Sequence, residues 1–340
     1  MTAQRRRPPT VLAMADEVRS ALLDAEALDR LAGAAETAPG AAVTDFADPR
    51  YAAALARAEV LLTCWGCPPL DEAALERMPE LRAVVHAAGS VKGLVTEACW
   101  RRGIAVSTAA SANAVPVAEY TVAAILFAGK RVLPTAHTYA RERGGWGFEV
   151  LGGPHRGNYG RVVGVVGASR IGRLVVERLR PFDFHVLLHD PCIGAKEAAG
   201  LGVEAVGPDE LAARSDVVTL HAPALPQTRH LFDRRRLALL RDGATLINTA
   251  RGSLVDTAAL TEELVHGRID AVLDVTDPEP LPGDSPLYGL PNVLLTPHVA
   301  GSLGNELGRL AHAALAELER YAAGLPFEEP VERGALDRSA

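Results

Sequence analysis

The sequence predicts an α/β protein that contains two doubly wound parallel-sheet domains. Short apolar strands alternate with helical segments along most of the chain, a pattern typical of parallel sheets covered by helices. The length of 340 residues is enough for roughly two domains at about 150 residues each. A glycine-rich turn at residues 167–172 lies between a predicted strand and a predicted helix, as in dinucleotide-binding folds.

The first third of the chain contains predicted strands separated by predicted helices. The strands are Val11–Met14, Val60–Thr63, Arg82–Ala87 and Ala105–Ser107. The helices are Val18–Leu31, Ala52–Ala58, Glu72–Met78 and Thr96–Arg101. We then expect one long helix from Val115 to about Arg143, with a kink at Pro134 because proline removes a helical hydrogen bond. Glycines at positions 144–157 predict a loop after this helix.

A second βα series begins at Val162, and its six strands fit a doubly wound dinucleotide fold. The strands are Val162–Val166, His185–His189, Val217–Leu220, Ala244–Asn248, Ala271–Val275 and Asn292–Thr296. The helices are Ile171–Arg180, Asp209–Arg214, Arg234–Leu240, Thr257–Val265 and a final amphipathic helix, Glu306–Ala323. All six strands are short and apolar, as expected of strands buried on both faces.

Composition excludes several classes of function. The formal net charge is −7, which argues against nucleic acid or an anionic membrane as the main partner. We expect no apolar run long enough for a membrane helix, which needs about 18–20 residues. The basic start, Arg5–Arg7, is followed by prolines and too short an apolar stretch for a signal peptide, so we expect a cytoplasmic protein.

The cysteines predict neither a disulfide framework nor a metal site. Four cysteines in 340 residues are too few for a disulfide scaffold. Cys64 and Cys67 form a C-x-x-C pair, which in other contexts is redox-active or half of a zinc site. Because no second pair completes a tetrahedron, we favour a loop in which Trp65 shapes a pocket for an apolar side chain.

The turn at residues 167–172 predicts a site for the pyrophosphate of a dinucleotide. Gly167 would form the tight turn, and Gly172 would let the helix contact the strand. Ser169 replaces the middle glycine of the usual pattern, but its hydroxyl could donate to a phosphate at the helix N-terminus. Asp190 ends the next strand and could accept from the adenosine ribose hydroxyls, which favours NAD over NADP.

Three ordered motifs resemble signatures of the NAD-dependent D-2-hydroxyacid dehydrogenases. They are Ile247–Asp256, Leu273–Pro282 and Asn292–Ser302, and shorter matches occur at Val117–Thr121 and His221–Pro223. The resemblance covers most of residues 80–325 and is specific for the family but not for a substrate. The chain departs from the usual pattern at Ser169 and at Tyr120, where histidine is usual; the stretch Gly267–Asp274 is one residue shorter than in common members.

The chemistry of 2-keto acid reduction matches three residues of these motifs. The guanidinium of Arg251 is always charged and can bind a carboxylate in bidentate fashion. The imidazole of His298 can donate a proton in reduction and accept one in oxidation. Glu279 resembles the family's partner of this histidine, and a carboxylate there would orient and charge the imidazole. Asp277 has similar spacing and remains an alternative partner.

The resemblance also implies a cofactor site, a substrate site and a domain arrangement. We expect Asp274 to reach the nicotinamide side, and a loop-capping aspartate is the alternative. Residues 112–301 would form a Rossmann NAD-binding domain, and residues 8–111 with 302–328 a flavodoxin-like substrate domain. The substrate would contact Gly89, Ser90, Val91, Arg251 and His298. The cofactor-binding residues would be Gly167, Ser169, Arg170, Ile171, Gly172, Asp190, Pro223, Thr228, Thr249, Ala250, Arg251, Asp274, His298 and Gly301.

These features predict a homodimeric NAD-dependent D-2-hydroxyacid dehydrogenase that acts on a small 2-keto or 2-hydroxy acid. Glyoxylate, hydroxypyruvate, phosphohydroxypyruvate and branched keto acids all remain open. Lys92 could contact a second anionic group, but we favour a solvated lysine. We expect no regulatory domain after the last helix. The alternative is an NAD(H)-sensing binding protein, similar to the corepressor relatives of the family, with negligible turnover.

Overall fold

A computed structural model describes residues 6–37, 42–143 and 156–336. The chain divides into two units, each with its own parallel sheet. The first unit runs to Ala114 and resumes at Ser302, so both ends of the described chain contribute to it. The second unit spans Val115–Gly301. The predicted loop at positions 144–157 lies mostly outside the described residues.

The sheet of the first unit has the flavodoxin-like strand order. Its strands are β1 (Pro9–Ala13), β2 (Glu36–Thr37), β3 (Val60–Thr63), β4 (Ala83–His86) and β5 (Ala105–Thr108). They are all parallel, in the order β2-β1-β3-β4-β5. The predicted flavodoxin-like, doubly wound sheet is confirmed. Strand β2 is the one strand of this sheet that the sequence analysis did not predict. A two-residue edge strand is too short to show an apolar period.

The sheet of the second unit has the strand order of a Rossmann fold, as predicted, with one strand more than expected. Its strands are β6 (Val162–Val166), β7 (His185–His189), β8 (Glu204–Ala205), β9 (Val217–Leu220), β10 (Thr245–Asn248), β11 (Asp270–Leu273) and β12 (Val293–Leu295). The order is β12-β11-β10-β9-β6-β7-β8, again all parallel. The prediction of six strands missed β8, which has two residues. Beyond the six strands of the common Rossmann order, β12 extends the sheet at one edge.

Helices cover both sheets. In chain order they are α1 (Asp16–Leu22), α2 (Ala25–Ala34), α3 (Ala52–Arg57), α4 (Glu72–Glu76), α5 (Glu97–Arg101), α6 (Ala110–Lys130), α7 (Val132–Glu142), α8 (Arg170–Leu179), α9 (Ala195–Leu201), α10 (Pro208–Arg214), α11 (Arg234–Leu239), α12 (Thr257–Val265), α13 (Leu307–Ala322) and α14 (Arg333–Leu336). Short 3₁₀ turns lie at Pro49–Tyr51, Pro226–Thr228, Gly252–Leu254, Pro286–Tyr288 and Gly304–Glu306. Helix α9 was not predicted, and α13 matches the predicted final helix within one residue at each end.

Two predicted helices are each divided in the structure. The segment predicted as Val18–Leu31 separates into α1 and α2 because Asp24 caps the second helix, accepting from the Ala27 N–H at 2.9 Å. The predicted helix from Val115 starts earlier, at Ala110, and ends at Lys130. The break lies at Arg131, whose φ is +50°, and not at Pro134. Pro134 lies in the first turn of α7, where helical N–H groups lack partners anyway, so it causes no kink there.

Helix α6 corrects the expectation that no segment would be long and apolar enough to cross a membrane. Among the described residues, α6 meets that criterion by length and composition, and it is the one helix that does. Buried core helices of soluble proteins meet it as well. The side chains of Ala118, Thr121 and Ile125 are fully buried in the second unit. Ala118 and Ile125 belong to the core that contains Val163 and Val165, so α6 has the environment of a core helix.

Parallel topology places the loops that carry chemistry at one edge of each sheet. In doubly wound folds, ligands bind outside the carboxyl ends of the strands, at the point where the strand order reverses. In the second unit this point lies between β6 and β9, next to the turn at Gly167. In the first unit it lies between β1 and β3, next to the turn at Cys64–Gly66. The loop Ala87–Val91 follows β4, the neighbour of β3, at the same edge.

Candidate active site

The turn after β6 has the close contacts that a dinucleotide-binding turn needs. Gly167 has φ +97°, and a Cβ there would lie 2.8 Å from the main chain of His221 and Ala222. A Cβ at Gly172 would lie 2.0 Å from the carbonyl oxygen of Gly167. Only glycine therefore lets helix α8 approach the turn this closely. Ser169 caps α8 by accepting from the Gly172 N–H at 3.3 Å, which leaves its own hydroxyl hydrogen available to donate.

Asp190 reaches back from the end of β7 to the same turn. One carboxylate oxygen accepts from the Ala168 N–H at 2.7 Å, and the other accepts from the Cys192 N–H at 2.8 Å. Each carboxylate oxygen has two lone pairs, so both can accept a further hydrogen bond. The carboxylate is therefore fixed beside the glycine turn and can still accept from sugar hydroxyls.

Arg251 follows β10 on a turn that Asn248 closes. The Asn248 amide donates to the Arg251 carbonyl at 2.9 Å and accepts from the Ala250 N–H at 3.1 Å. Burial lowers the pKa of Arg251, and the charge of Glu279 opposes that effect. An arginine remains protonated near neutral pH even when its pKa is lowered in this way. The guanidinium is thus a partly desolvated cation that interacts electrostatically with Glu279 at the carboxyl edge of the sheet.

His298 follows β12 on a turn that Asp274 holds in place. The buried carboxylate of Asp274 accepts from the Thr296 hydroxyl at 2.6 Å and from the N–H groups of Val299 and Ala300 at 2.8 and 2.9 Å. The Asp274 carbonyl also accepts from the His298 N–H at 2.9 Å. His298 itself has φ +55°, a left-handed conformation that is unfavourable for a non-glycine residue. The Asp274 hydrogen bonds stabilise this conformation and present the imidazole at the surface.

Glu279, and not Asp277, is the partner of His298. A Glu279 carboxylate oxygen lies 2.8 Å from His298 Nδ1, and both side chains are about half exposed. Asp277, the alternative from spacing, instead pairs with Arg229 at 3.2 Å. Because the carboxylate can only accept, Nδ1 carries the hydrogen and Nε2 is the nitrogen left for proton exchange.

The hydrogen bonds of Asp274 are those of a loop-capping aspartate, which was the alternative to the predicted nicotinamide contact. Its side chain is 1% exposed, and its hydrogen bonds go to the turn that carries His298. The contact with a cofactor stays a prediction, and the observed hydrogen bonds make Asp274 a support of the His298 turn.

The remaining predicted cofactor residues lie in loops that follow strands of the second unit. Thr228 donates to the Pro223 carbonyl at 2.6 Å and accepts from the Leu225 N–H at 2.9 Å, which closes the loop after β9. The Thr249 hydroxyl lies 3.0 Å from that of Thr121 on α6. Arg170 and Ile171 lie in the first turn of α8. The other predicted residues lie in turns at the carboxyl edge of the sheet, and they are Pro223, Thr228, Thr249, Ala250 and Gly301.

The predicted substrate loop belongs to the first unit. Gly89, Ser90 and Val91 follow β4 at the carboxyl edge of its sheet. In the part of the chain that the structure describes, the N–H groups of these three residues donate to no protein acceptor. Successive unpaired N–H groups favour an anion. The loop is thus suited to bind a carboxylate.

The cysteine pair has the properties of structural thiols. Cys64 is buried and its Sγ donates to the Ala87 carbonyl at 3.2 Å. Burial raises the pKa of Cys64 to about 11 and that of Cys67 to about 12. Since the thiolate is the reactive form, these thiols are poor nucleophiles near neutral pH. Within residues 6–37, 42–143 and 156–336, no cluster of histidine, cysteine or acidic side chains has the grouping of a metal site.

Sequence analysis missed two residues that support the site. Asn248 shapes the Arg251 turn, and Thr296 bonds to Asp274 and lies 2.9 Å from the Tyr120 hydroxyl. Both are polar residues at the carboxyl end of an otherwise apolar strand or directly after it. That position was the available signal, because a polar residue there faces the edge where ligands bind.

The second unit therefore fits a bound NAD. Its glycine turn leaves no room for a Cβ at Gly167 or Gly172, its α8 N-terminus is capped by a small hydroxyl residue, and the Asp190 carboxylate is hydrogen-bonded to the turn. This arrangement is suited to bind the pyrophosphate at the N-terminus of α8 and a ribose at the Asp190 carboxylate.

Comparison with known proteins identifies the family. Residues 123–300 match the family described as D-isomer specific 2-hydroxyacid dehydrogenase, NAD binding domain. The chain belongs to this family, and these residues are its NAD-binding domain. Among relatives, a glyoxylate reductase from Korarchaeum cryptofilum is 33% identical over 267 residues, which cover 75% of this chain and 77% of that protein.

Other relatives are longer than this chain. A D-3-phosphoglycerate dehydrogenase from Methanocaldococcus jannaschii is 38% identical over 245 residues, 72% of this chain and 46% of that protein. The chain spans about half the length of the curated relatives that head the comparison. Among solved structures, the TT0316 protein from Thermus thermophilus is 32% identical with a TM-score of 0.76, covering 95% of this chain and 99% of that one.

Proposed function

We propose that this chain is an NAD-dependent D-2-hydroxyacid dehydrogenase that interconverts a small 2-keto acid and the corresponding 2-hydroxy acid. The observation that carries the proposal is the 2.8 Å contact between His298 and Glu279, at the same sheet edge as Arg251. Strands β10, β11 and β12 are neighbours in the sheet. Arg251, Glu279 and His298 each follow one of these strands, which supports a common site for the three side chains.

Each of the three side chains has a role that its chemistry supports. Arg251 binds the substrate carboxylate, and its partial burial strengthens that interaction because water screens it less. In reduction, His298 donates the proton on Nε2 to the carbonyl oxygen as that oxygen gains charge, and in oxidation it accepts the proton back. Glu279 holds the hydrogen on Nδ1 throughout and stabilises the imidazolium.

The dinucleotide would be held by Gly167, Ser169, Gly172 and Asp190 in the second unit. When bound, NAD(H) supplies or accepts the hydride at C2 of the substrate. The proposed substrate domain, residues 8–111 with 302–328, would bind the substrate through the N–H groups of its loop Gly89–Val91.

An exposed indole in the first unit suggests the substrate's side chain. Trp65 is 44% exposed and lies on the turn after β3, where the strand order reverses. The turn is held by a 2.9 Å hydrogen bond from the Ala15 N–H to the Trp65 carbonyl. Gly66 has φ +87°, and a Cβ there would contact Ala15 at 2.7 Å. The indole is therefore on a fixed turn, and it favours keto acids with an apolar side chain.

A panel of 2-keto acids tests the proposal. We expect NADH oxidation with at least one acid, and faster turnover of branched or aromatic keto acids than of phosphohydroxypyruvate. The control is NADH binding, measured by fluorescence without substrate. Binding of NADH with negligible turnover of every acid would favour the sensor alternative, and the absence of both would refute the proposed function.

Asp190 should determine the choice between NADH and NADPH. We expect Asp190→Asn to weaken NADH about tenfold, because a charged acceptor contributes more than a neutral one. The same change should weaken NADPH less or improve it, since a 2′-phosphate no longer meets an anion. Kd values from fluorescence titration check this. Thermal unfolding controls for the two main-chain bonds that Asp190 accepts, and an unchanged ratio of affinities would contradict the assignment.

We also propose a cytoplasmic homodimer associated through the NAD-binding domain, without a nucleic-acid or membrane partner. The basis is the family resemblance together with the net charge of −7. Light scattering should give twice the chain mass of 35.9 kDa. A monomeric mass would refute this part of the proposal.

A further inference from the structure

Tyr120 is a polar residue of helix α6 that the proposed mechanism does not use. It stands at a position where histidine is usual in the motif to which it belongs. Its hydroxyl lies 2.9 Å from the hydroxyl oxygen of Thr296, which directly follows β12. The Thr296 N–H donates to the Leu273 carbonyl of β11 at 3.0 Å, so the Thr296 main chain is bonded to the sheet. Tyr120 therefore contacts the point at which the chain leaves the sheet and turns toward His298.

The hydrogen bonds of Thr296 determine the direction in which Tyr120 donates. The Thr296 hydroxyl donates to a carboxylate oxygen of Asp274 at 2.6 Å, since an ionised carboxylate can only accept. A hydroxyl carries one hydrogen, so the Thr296 oxygen can only accept from Tyr120. Burial raises the pKa of Tyr120, and the phenol therefore carries this hydrogen near pH 7. The bonds run in one direction, from Tyr120 through Thr296 to Asp274.

Asp274 continues this series of hydrogen bonds to the turn that carries His298. The carboxylate oxygen that accepts from Thr296 also accepts from the Val299 N–H at 2.8 Å. The Asp274 carbonyl accepts from the His298 N–H at 2.9 Å. Because consecutive hydrogen bonds polarise one another, a bond donated by Tyr120 makes the Thr296 hydroxyl a stronger donor to Asp274. Loss of the phenol hydroxyl should therefore weaken the support of His298.

Helix α6 holds Tyr120 at a fixed position in the second unit. The next residue, Thr121, is fully buried, and its hydroxyl lies 3.0 Å from that of Thr249 after β10. Ile125, about one turn further along the helix, is fully buried as well. Tyr120 packs against the same apolar core as Leu294 of β12. The helix is therefore anchored at this point, and it holds the phenol against the end of β12.

The position of His298 is sensitive to the support of its turn. Its φ is +55°, a conformation that persists only where the surroundings hold it. Its side chain is about half exposed, so packing restrains the imidazole little. A general acid must lie within about 3 Å of the atom to which it transfers a proton. A small shift of the turn would therefore slow proton transfer, whereas the proposed carboxylate ligand Arg251 would stay in place.

We propose that Tyr120 is a positioning residue for His298, which acts through Thr296 and Asp274 on the turn that carries the imidazole. The inference rests on the proposed function, in which His298 is the acid–base group. Tyr120 takes no part in proton transfer itself, because its hydrogen is donated to Thr296. The role predicts a loss in kcat with little change in KM.

Tyr120→Phe removes the phenol hydroxyl and leaves the ring in place. We expect it to lower kcat for the preferred keto acid about three- to tenfold, the range of one ordinary hydrogen bond. KM and the Kd of NADH should stay near wild type. Tyr159→Phe is the matched control, because Tyr159 belongs to the same unit and is 88% exposed. We expect wild-type kinetics in this control.

A double-mutant cycle tests whether Tyr120 acts through Thr296. Thr296→Val removes the intermediate hydroxyl at nearly constant shape, and Thr296→Ser keeps it, so the valine variant should lose more activity. In the Thr296→Val background, Tyr120→Phe should have little further effect on kcat, because the route to Asp274 is already broken. Thr261→Val, a change on α12 in the same unit, is the control for loss of a threonine hydroxyl.

Amide hydrogen exchange tests the same support without turnover. The N–H groups of Val299 and Ala300 donate to Asp274. We expect Tyr120→Phe to speed the exchange of these two amides about three- to tenfold. Amides within β11 and β12 should remain as protected as in wild type, which distinguishes local loosening of the turn from a general loss of stability.

Each of these measurements can contradict the inference. Unchanged kcat in Tyr120→Phe, additive losses in the double variant, or unchanged exchange of the Val299 and Ala300 amides would each overturn it. Exchange that rises equally throughout β11 and β12 would overturn it as well. A wild-type protein that binds NADH and turns over no keto acid would refute the proposed function instead, and the exchange of the two amides would still decide whether Tyr120 supports the His298 turn.

Discussion

Replacing Arg251 with alanine should lower kcat/KM for the preferred 2-keto acid by about two to three orders of magnitude. In the proposed function, the change removes a charged, two-point ligand of the substrate carboxylate from a position where burial limits screening by water. It also removes the cation beside Glu279. Steady-state kinetics with NADH in excess measures the effect.

Lysine at the same position separates charge from geometry. Arg251→Lys keeps the positive charge but cannot form the planar fork that pairs with a carboxylate, so its activity should lie between alanine and wild type. Arg235→Ala is a matched control because Arg235 also belongs to the second unit and forms an exposed pair with Asp209. Exposed pairs contribute little, so this variant should retain wild-type kinetics. Wild-type kinetics in Arg251→Ala would refute the assigned role.

His298→Ala should lower kcat by about 10²- to 10⁴-fold, the usual contribution of a general acid–base group. The carbonyl oxygen then has no positioned proton source as it gains charge. KM should change less, because the proposed carboxylate ligand Arg251 is still present. Presteady-state measurement of NADH oxidation distinguishes a slow chemical step from slow product release.

The two carboxylates of this region provide the matched comparison. Glu279→Gln keeps an acceptor for the Nδ1 hydrogen but loses the charge, and we expect an activity loss smaller than that of Glu279→Ala. Asp277→Asn should be nearly silent, since Asp277 pairs with Arg229 and not with His298. A larger effect at Asp277 than at Glu279 would contradict the pairing seen in the structure.

The left-handed conformation of His298 depends on the hydrogen bonds of the turn that carries it. A histidine at φ +55° costs on the order of 1 kcal/mol, and such a residue persists only where its surroundings hold it. Here the surroundings are the hydrogen bonds of Asp274 to the turn and to Thr296. The buried aspartate therefore supports the main chain of the proposed acid–base residue His298.

The sequence alone determined the fold class and the chemistry of the site. Apolar strands alternating with helices specify parallel sheets, because such strands are buried on both faces, and four of the predicted strands match the structure residue for residue. The glycine turn follows from local steric requirements, whereas Arg251, Glu279 and His298 were selected from motifs that resemble those of the dehydrogenase family and have residue types that suit the proposed chemistry. Patterns of this kind can be found without knowing what lies across the molecule.

Only the tertiary structure decided which groups act together. Glu279 and Asp277 have equivalent spacing in the sequence, and the choice between them depends on the path of the chain around β11 and β12. The helix break at Arg131 and the burial of Asp274 depend likewise on residues distant in sequence or on packing. The physical reason is that burial and hydrogen-bond partners are set by neighbours in space, and a linear pattern of residue types carries no record of those neighbours.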